Sequence, residues 1–305
     1  MYEYSVVIPV FNSELTLEKL LSGLKSAFAA EKKTAQYIFV DDGSFDSSWE
    51  VLKKIKDENP ETVTIVRFNK NYGQGNATFC GMELAEGKFI ITMDDDLQQP
   101  PSEVKSLITA IEEGGWELVY GVYDKKRHST ARNIGSSIVR KTAGRFLDRP
   151  ERTTSFKIVK KEVVKKILPH KSNFIFIDEL LWWYTDSISY VVVEHQKRIH
   201  TKSGYTPGKL WKMFTNLVIF YSNFPLKLMI YGGLFFSTVF LVSILGFLVA
   251  KAMNNVPLGY TSIIVTILFG TSIILLSLGV IGEYISRLYS FQNKKPPFII
   301  KEIKK

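Results

Sequence analysis

Two long stretches without a charged side chain dominate the last third of this 305-residue chain. They cover residues 228–250 and 260–282, and a connector with Asn, Pro and Gly residues, 251–259, separates them. A helix needs roughly 20 apolar residues to cross the hydrocarbon core of a bilayer, and both stretches reach that length. The alternative, two buried helices of a large soluble core, rarely produces adjacent uncharged stretches this long. The sequence therefore predicts a hairpin of two transmembrane helices.

Lys and Arg side chains flank the predicted hairpin on both sides and nearly avoid its connector. Residues 195–227 hold six of them and no acidic residue, residues 283–305 hold another six, and the connector holds only Lys251. Because basic segments remain on the cytoplasmic side, we expect a two-span protein of the cell inner (plasma) membrane with both termini in the cytoplasm. The first ten residues contain Glu3 and no basic n-region, which predicts a strand and not a signal peptide.

The segment before the hairpin, residues 207–227, interleaves aromatic and aliphatic residues with Lys209 and Lys212. This pattern is typical of an amphipathic helix in the membrane interface, and an ordinary surface helix of a soluble domain is the alternative. We expect a cytoplasmic domain at 1–206, the interfacial helix, the two spans, and a basic cytoplasmic tail at 283–305. Glycines within the spans would permit close helix packing, so we also expect a homo-oligomer.

The first two-thirds of the chain alternates short apolar runs with helical patterns. The expected strands cover 4–10, 36–40, 62–68, 88–93 and 117–122, and the expected helices lie near 14–29, 46–58, 75–86 and 102–113. Strands that are nearly all apolar and that alternate with helices predict an α/β fold with a mostly parallel sheet, covered on both faces. In such sheets ligands bind beyond the carboxyl ends of the strands.

Polar residues follow four of the expected strands, at 11–14, 41–46, 69–74 and 94–98. The last of these sets contains Asp94, Asp95 and Asp96, whose adjacent carboxylates repel one another unless a cation or another partner offsets the charge. Hard oxygen ligands suit Mg²⁺ or Mn²⁺, either of which can bridge to a diphosphate. In an extended segment Asp94 and Asp96 point the same way and Asp95 points the opposite way. We therefore expect Asp94 and Asp96 to be the metal-binding and catalytic pair.

The net charge of +9 favours an anionic partner. Residues 123–171 hold 15 Lys and Arg against four acids, and they include Arg127, Arg132 and Arg140. Arginine suits bidentate phosphate contacts, although a solvated basic face attracted to anionic lipid is the alternative. Much of the other positive charge brackets the hairpin, which argues against a nucleic-acid partner.

Several common classes of enzyme lack their sequence motifs here. The glycine-rich dinucleotide motif, the P-loop, the H-E-x-x-H zinc motif and the G-x-S-x-G nucleophile elbow are all absent. The single cysteine, Cys80, excludes an internal disulfide. Without a glycine-rich phosphate-binding loop, the negative charge of a bound phosphate would have to be neutralised by a metal ion and by side chains.

Six segments form a set that extends over almost the whole chain. They are VVIPVFNSE (6–14), VDDGSFDSS (40–48), NKNYGQGNATFCG (69–81), MDDDLQQPP (93–101), SFKIVKKEV (155–163) and KSGYTPGKL (202–210). With the terminal hairpin, this set resembles glycosyltransferase family two, which has the GT-A fold, and more narrowly the polyprenyl-phosphate glycosyltransferases. One residue departs from that group's pattern. Lys157 stands where the group usually has Arg, and it replaces a flat bidentate guanidinium with a point charge.

The resemblance implies a nucleotide site and a metal site at the strand ends. Pro9, Phe11, Glu14 and Asp41 would line the pocket for the base and ribose, and Asp94 would lie beside the nucleotide phosphates. Asp96 would bind the metal, Mg²⁺ or Mn²⁺.

The resemblance also implies contacts for the sugar and for the acceptor. Gln98 would lie near the donor sugar, and Arg127 and Arg132, with Arg140 as a further candidate, would hold the acceptor phosphate. Asp178 is a candidate for a base or a donor-sugar contact, and the same holds for Glu179. Alternatively, both are first-turn residues that a helix dipole favours.

The expected activity is the transfer of one sugar from a nucleotide sugar, with a UDP-sugar favoured, to a polyprenyl phosphate such as undecaprenyl or dolichyl phosphate. The lipid phosphate would displace the nucleoside diphosphate directly, which inverts the anomeric centre. Other readings are a different lipid acceptor such as diacylglycerol, or a catalytically silent membrane protein that binds a nucleotide sugar. A processive polysaccharide synthase is disfavoured, because Gln196-Lys197-Arg198 lacks the Trp of a Q-x-x-R-W motif.

Overall fold

The computed structural model describes residues 2–123, 153–170, 176–194, 196, 231–232, 235, 238–239, 242, 259–292 and 296–305. The chain divides into two compact units. One contains residues 1–139, 149–204 and 295–305, and the other contains residues 140–148 and 205–294.

The first unit begins with four strands that alternate with helices, as the sequence predicts. These elements are β1 (Tyr4–Val10), α1 (Leu17–Ala30), β2 (Ala35–Asp41), α2 (Ser48–Glu58), β3 (Val63–Phe68), α3 (Gln74–Leu84), β4 (Phe89–Thr92) and α4 (Val104–Gly114). The elements that follow are β5 (Leu118–Tyr123), β6 (Lys157–Lys160), α5 (Lys161–Ile167), α6 (Ile177–Tyr184), β7 (Ile188–Val193) and the C-terminal β8 (Ile300–Lys304).

These strands form one sheet in the order β7-β5-β6-β4-β1-β2-β3-β8. The pairs β1–β2, β1–β4, β2–β3 and β5–β7 are parallel, whereas β6 runs antiparallel to both β4 and β5, and β8 runs antiparallel to β3. The expected α/β fold with a mostly parallel sheet is therefore confirmed. The strands β6, β7 and β8 were not predicted from the sequence.

Apolar side chains cover both faces of the sheet. Every residue of β1 and β2 is buried, which is typical of central strands with helices on both sides. On one face, α1 buries Leu17, Leu20 and Leu24, which recur at helical spacing. On the other face, Phe79 of α3 and Leu181 of α6 lie in a second apolar cluster. This packing fixes the carboxyl ends of β1 to β4, where the polar residues lie.

The last residues of the chain belong to the sheet. The sequence predicts a basic tail at 283–305, but β8 pairs with β3, and Ile303 lies opposite Val66. The ring of Phe298 stacks on that of Phe68 at a centroid distance of 4.9 Å. The strand reads Ile-Lys-Glu-Ile-Lys, and charged side chains on a short edge strand discourage pairing with other chains. This charge made the strand resemble a tail.

The second unit contains α7, a helix of 33 residues from Tyr260 to Gln292. It begins at the first residue of the expected second span, and several of its large apolar side chains are exposed, among them Ile267, Ile274 and Leu278. Among the described residues, no helix combines the length and the apolarity that crossing a membrane requires. The spans at 228–250 and 260–282 remain predictions, and the expected interfacial helix at 207–227 lies outside the described residues.

Candidate functional site

The carboxyl ends of the four central parallel strands bring the polar segments together. The loop after β1 and the loop after β2 are joined by hydrogen bonds in both directions. The amide of Asn12 donates to Ser44 Oγ (3.0 Å), and the amide of Phe45 donates back to Asn12 Oδ1 (2.9 Å). Likewise the amide of Glu14 donates to Asp46 Oδ2 (3.2 Å), and Ser47 N–H donates to Glu14 Oε2 (2.8 Å). These reciprocal bonds give the rim of the site a defined shape.

Asp94, directly beyond β4, accepts hydrogen bonds from three side chains. Gln74 Nε2 donates to Oδ1 (2.5 Å), while Ser155 Oγ (2.6 Å) and Gln99 Nε2 (3.2 Å) donate to Oδ2. Gln99 also accepts the amide N–H of Asp94 through Oε1 (2.9 Å). Burial raises the pKa of Asp94, and the charge of Asp96 raises it further, whereas these donors lower it. The carboxylate is thus held in one orientation beside a second negative charge.

The three adjacent aspartates have different neighbours. Asp95 accepts hydrogen bonds from the Phe11 amide (3.0 Å) and from Ser13 Oγ (2.5 Å), both in the loop after β1. Asp96 Oδ1 accepts the amide N–H of Gln98 (3.1 Å). Burial raises the pKa of Asp95 to about 6. Asp94 and Asp96 are the candidates for a metal ion that the sequence predicts, and Asp95 differs from them because its Oδ2 is bound by the loop after β1.

The donor set at Asp94 and Asp96 fits a hard divalent cation. Among the described residues, no three His, Cys, Asp or Glu side chains converge into a cage made by protein alone. Mg²⁺ is commonly held by one or two carboxylates together with substrate phosphates. Two neighbouring carboxylates, of which the charge of Asp96 raises the pKa of Asp94, match that mode of binding.

The turn after these aspartates has an unusual backbone. Leu97 adopts a left-handed φ of 59°, which is uncommon for a residue with a side chain, and its side chain is buried. The turn lets the amide of Gln98 reach Asp96, and the carbonyl of Gln98 accepts the amide N–H of Gln196 (2.9 Å). Gln98 is therefore next to the aspartates, and its contact with the donor sugar stays a prediction.

Asp42 holds the loop after β3. Its two carboxylate oxygens accept the amides of Tyr72 (2.6 Å) and Gly73 (2.8 Å). Burial raises the pKa of Asp42 to about 6, although these two bonds lower it. Because α3 begins at Gln74, this contact also places the Gln74 side chain that binds Asp94.

The residues expected at the nucleotide lie around one edge of this cluster. Pro9 is buried in β1, and Asp41 is buried at the end of β2, where it forms an ion pair with Arg67 (3.3 Å). Burial raises the pKa of Asp41, against the effect of its hydrogen bonds with Ser44 and of Arg67. Phe11 is 42% exposed, and its ring meets that of Phe45 edge to face at 6.1 Å. These two rings offer an exposed aromatic surface beside the aspartates.

Asp178, a candidate for the donor sugar, lies in a half-buried polar network. Its Oδ1 forms an ion pair with the buried Lys157 and accepts a hydrogen bond from Tyr120 OH (2.9 Å). Trp182 Nε1 donates to the same Tyr120 hydroxyl (3.1 Å). Burial first, and then the charge of Asp178, raises the pKa of Tyr120. The positive charge of Lys157 is thus offset by Asp178 within the fold. This pairing argues against a contact between Lys157 and a bound phosphate.

Arg127, Arg132 and Arg140, the residues expected to bind phosphate, lie outside the described residues. Conversely, the structure adds partners that sequence reasoning missed: Gln74, Gln99 and Ser155 around Asp94, and Asp42 beneath the loop after β3. All four lie within the quoted segments. Gln74, Gln99 and Ser155 are amide or hydroxyl residues, which carry no charge pattern that would single them out, whereas Asp42 lies beside Asp41 in a visible acidic pair.

A mostly parallel α/β sheet with adjacent aspartates beyond the carboxyl end of a central strand is typical of an enzyme that binds its ligand at this edge of the sheet. The model of glycosyl transferase family 2 matches residues 5–172. The chain belongs to this family, and the protein is a glycosyltransferase.

The relatives that match over nearly the whole chain narrow the group. The chain is 30% identical to the undecaprenyl-phosphate 4-deoxy-4-formamido-L-arabinose transferase of Pseudomonas paraeruginosa, over 98% of this chain and 89% of that protein. It is also 30% identical to the prophage bactoprenol glucosyl transferase homolog of Escherichia coli, over 99% of both chains. An uncharacterized glycosyltransferase of Bacillus subtilis is 31% identical over 98% of this chain and 94% of its own length. These names match the polyprenyl-phosphate group that the sequence resembles.

A solved structure supports the fold. Glucosyl-3-phosphoglycerate synthase from Mycobacterium tuberculosis, in complex with Mn²⁺ and uridine-diphosphate-glucose, superposes with a TM-score of 0.51. The match covers 72% of this chain and 77% of that one, at 18% identity. At this identity the likeness shows a shared fold alone.

Proposed function

We propose that this protein is a membrane-anchored, inverting glycosyltransferase that moves one sugar from a nucleotide sugar to a polyprenyl phosphate at the cytoplasmic face of the inner membrane. A UDP-sugar is the favoured donor. The observation that carries the proposal is the oriented carboxylate of Asp94 beside Asp96, at the carboxyl edge of the sheet.

Three features support a nucleotide-sugar donor at this edge. The carboxylates of Asp94 and Asp96 suit a cation that neutralises a diphosphate. The exposed rings of Phe11 and Phe45 offer a surface on which a nucleobase can stack. The structural neighbour with the same fold binds Mn²⁺ and UDP-glucose, as its name states.

The acceptor is inferred from the relatives and from the basic segment. Two relatives that match nearly the whole chain are named as acting on undecaprenyl phosphate or bactoprenol. Arg127, Arg132 and Arg140 supply guanidinium groups for the acceptor phosphate. This assignment rests on sequence, because these three residues lie outside the described part of the chain.

Membrane anchoring through two spans is supported by the uncharged stretches and by the course of the chain. The chain leaves the sheet after β7 and returns to the same sheet as β8. Any membrane segment between these strands must therefore cross the bilayer an even number of times. A hairpin of 228–250 and 260–282 meets this condition, and the exposed apolar side chains of α7, such as Ile267 and Leu278, suit contact with lipid.

In the proposed reaction a phosphate oxygen of the lipid attacks the anomeric carbon of the donor sugar. The bond from that carbon to the nucleoside diphosphate breaks, and the diphosphate leaves with the bonding electrons, which inverts the configuration. A phosphate is anionic at neutral pH, so the acceptor needs no general base. When bound, the metal ion supplies positive charge to the leaving diphosphate.

The residues of the chain position the reactants. Gln74, Ser155 and Gln99 fix the orientation of Asp94, so that no reorganisation is needed when the donor binds. Gln98 lies beside Asp96 and is assigned to the donor sugar. Lys157 and Tyr120 both bind Asp178 Oδ1, so we assign Oδ2 of this residue to a sugar hydroxyl.

A donor screen tests the proposal. Purified protein in detergent is mixed with polyprenyl phosphate, Mg²⁺ or Mn²⁺, and a panel of UDP-, GDP- and dTDP-sugars, and the released nucleoside diphosphate and the glycolipid are measured. Asp96→Asn is the test variant, and Asp57→Asn, which changes an exposed aspartate of α2, is the matched control. We expect glycolipid from one donor, lost in the first variant and retained in the second. Nucleotide binding without any glycolipid would favour a silent nucleotide-sugar-binding protein.

A further inference from the structure

The middle aspartate of the D-D-D segment is tied to the loop that we assign to the nucleobase. Two donors from that loop, the amide N–H of Phe11 (3.0 Å) and Ser13 Oγ (2.5 Å), reach the same oxygen of Asp95, Oδ2. In addition, Thr16 Oγ1 donates to the carbonyl of Asp95 (2.6 Å). Asp95 thus contacts the loop after β1 through its side chain and through its backbone.

The amide of Phe11 differs from the amides that follow it in this loop. The amides of Asn12, Ser13 and Glu14 all donate to side chains of the segment after β2, namely Ser44, Ser48 and Asp46. The amide of Phe11 alone among these four donates to the aspartate segment after β4. Phe11 therefore lies where the loop passes from one neighbour to the other, and its ring is partly exposed.

We propose that Asp95 is a positioning residue that sets the placement of Phe11 and thereby couples the nucleobase pocket to the carboxylates of Asp94 and Asp96. This inference rests on the proposed nucleotide-sugar donor site. Asp95 touches neither the metal nor the donor. It acts through the loop, because moving its carboxylate moves the amide that begins the turn after β1.

The chemistry of the contact separates two substitutions. Both donors end on one oxygen, so the amide oxygen of Asn can accept both bonds, whereas Ala accepts neither. Asp95→Ala should weaken nucleotide binding by about tenfold to a hundredfold, the range expected when hydrogen bonds to a charged acceptor are lost. Asp95→Asn should stay within about threefold of the unchanged protein, because it loses charge but keeps the geometry. Ser13→Ala removes one of the two donors and should give an intermediate effect.

The test measures binding of uridine monophosphate without added metal, by titration calorimetry on the full-length protein in detergent, and then KM and kcat for the UDP-sugar. For Asp95→Ala we expect weaker binding and a raised KM, with kcat changed by less than about threefold. A purely structural role would lower the unfolding midpoint and the active fraction and leave KM unchanged. If Asp95→Ala does not fold, Ser13→Ala still has to weaken binding for the inference to stand.

The outcomes separate this inference from the proposed function. If the unchanged protein binds the nucleotide and forms glycolipid while Asp95→Ala binds equally well, the positioning role is wrong and the proposed function stands. If Asp95→Asn weakens binding as much as Asp95→Ala, the charge acts directly and the positioning argument is also wrong. If the unchanged protein neither binds nucleotides nor turns over, the proposed function fails, and the inference fails with it.

Discussion

Removing one member of the Lys157–Asp178 pair should cost far more stability than removing both. The two side chains are 5% and 17% exposed, so water does little to screen either charge. Lys157→Met leaves the carboxylate with Tyr120 as its remaining described partner, and Asp178→Asn leaves a buried ammonium over the Tyr120 ring at 5.4 Å. Breaking a buried pair from one side costs about 3–5 kcal/mol, whereas a neutral replacement of both partners is often nearly neutral. For a domain of this size, each single change should lower the unfolding midpoint by about 10 °C.

The assay is a double-mutant cycle, with thermal unfolding of the full-length protein in detergent followed by tryptophan fluorescence. We expect the Lys157→Met/Asp178→Asn double variant to be more stable than either single variant, with a coupling energy of about 2–4 kcal/mol. Additive losses would refute the reasoning, because they would mean that the two charges do not interact.

The double variant also tests the sugar assignment of Asp178. We expect it to fold and to show a raised KM for the UDP-sugar, with UDP bound as tightly as before.

Three further predictions concern the surroundings of the site. Ser155→Ala removes a hydrogen-bond donor to Asp94 (2.6 Å) and should raise the Mn²⁺ concentration needed for activation about tenfold in a metal titration. The control variant Ser102→Ala, on the exposed surface, should leave that concentration unchanged. If the two variants gave the same titration curve, the role of Ser155 in orienting Asp94 would be wrong. Phe298→Ala removes the stack on Phe68 and should lower stability by about 2 kcal/mol in urea unfolding, and no change would mean that β8 does not brace β3. The raised pKa of Asp42, about 6, means that the native carboxyl holds its proton more tightly than the unfolded one. The stability linked to Asp42 is therefore fully present below pH of about 4 and is lost as the pH rises through about 6. The unfolding temperature should fall over that pH range in the unchanged protein, and it should fall less in the Asp42→Asn variant.

Local apolar patterns were sufficient to predict the central part of the fold. β1 to β5 lie within one or two residues of the expected strands, because buried parallel strands are continuous apolar runs that helices separate. β6 and β8 were missed, since Lys157–Lys160 and Ile300–Lys304 are short and carry lysines at their ends or on their exposed side. Pairing with partners distant in sequence makes them strands, and a local pattern does not carry that information.

The site was predictable to the extent that charge marks it. Three adjacent aspartates beyond a strand indicated the position of the candidate site. The two-residue alternation of an extended chain predicted that Asp95 differs from its neighbours, but residues 95–99 form a bend, and it is the contact with the loop after β1 that distinguishes Asp95. The residues that orient Asp94 were not predictable, because Gln74 and Ser155 come from segments that only the folded sheet brings together. The pairing of Lys157 was not predictable either, because its partner Asp178 lies 21 residues further along the chain. That pairing argues against a phosphate contact for Lys157.

A comparison of acceptor lipids distinguishes a lipid phosphate from a lipid hydroxyl as the group that receives the sugar. Purified protein, the productive UDP-sugar and a divalent cation are incubated in parallel with polyprenyl phosphate, with the matching polyprenol, and with diacylglycerol, and the lipid products are identified by mass spectrometry. The expectation is one product, the sugar joined to polyprenyl phosphate, with one nucleoside diphosphate released for each glycolipid formed. A glycosylated diacylglycerol or polyprenol, with polyprenyl phosphate left unchanged, would contradict it.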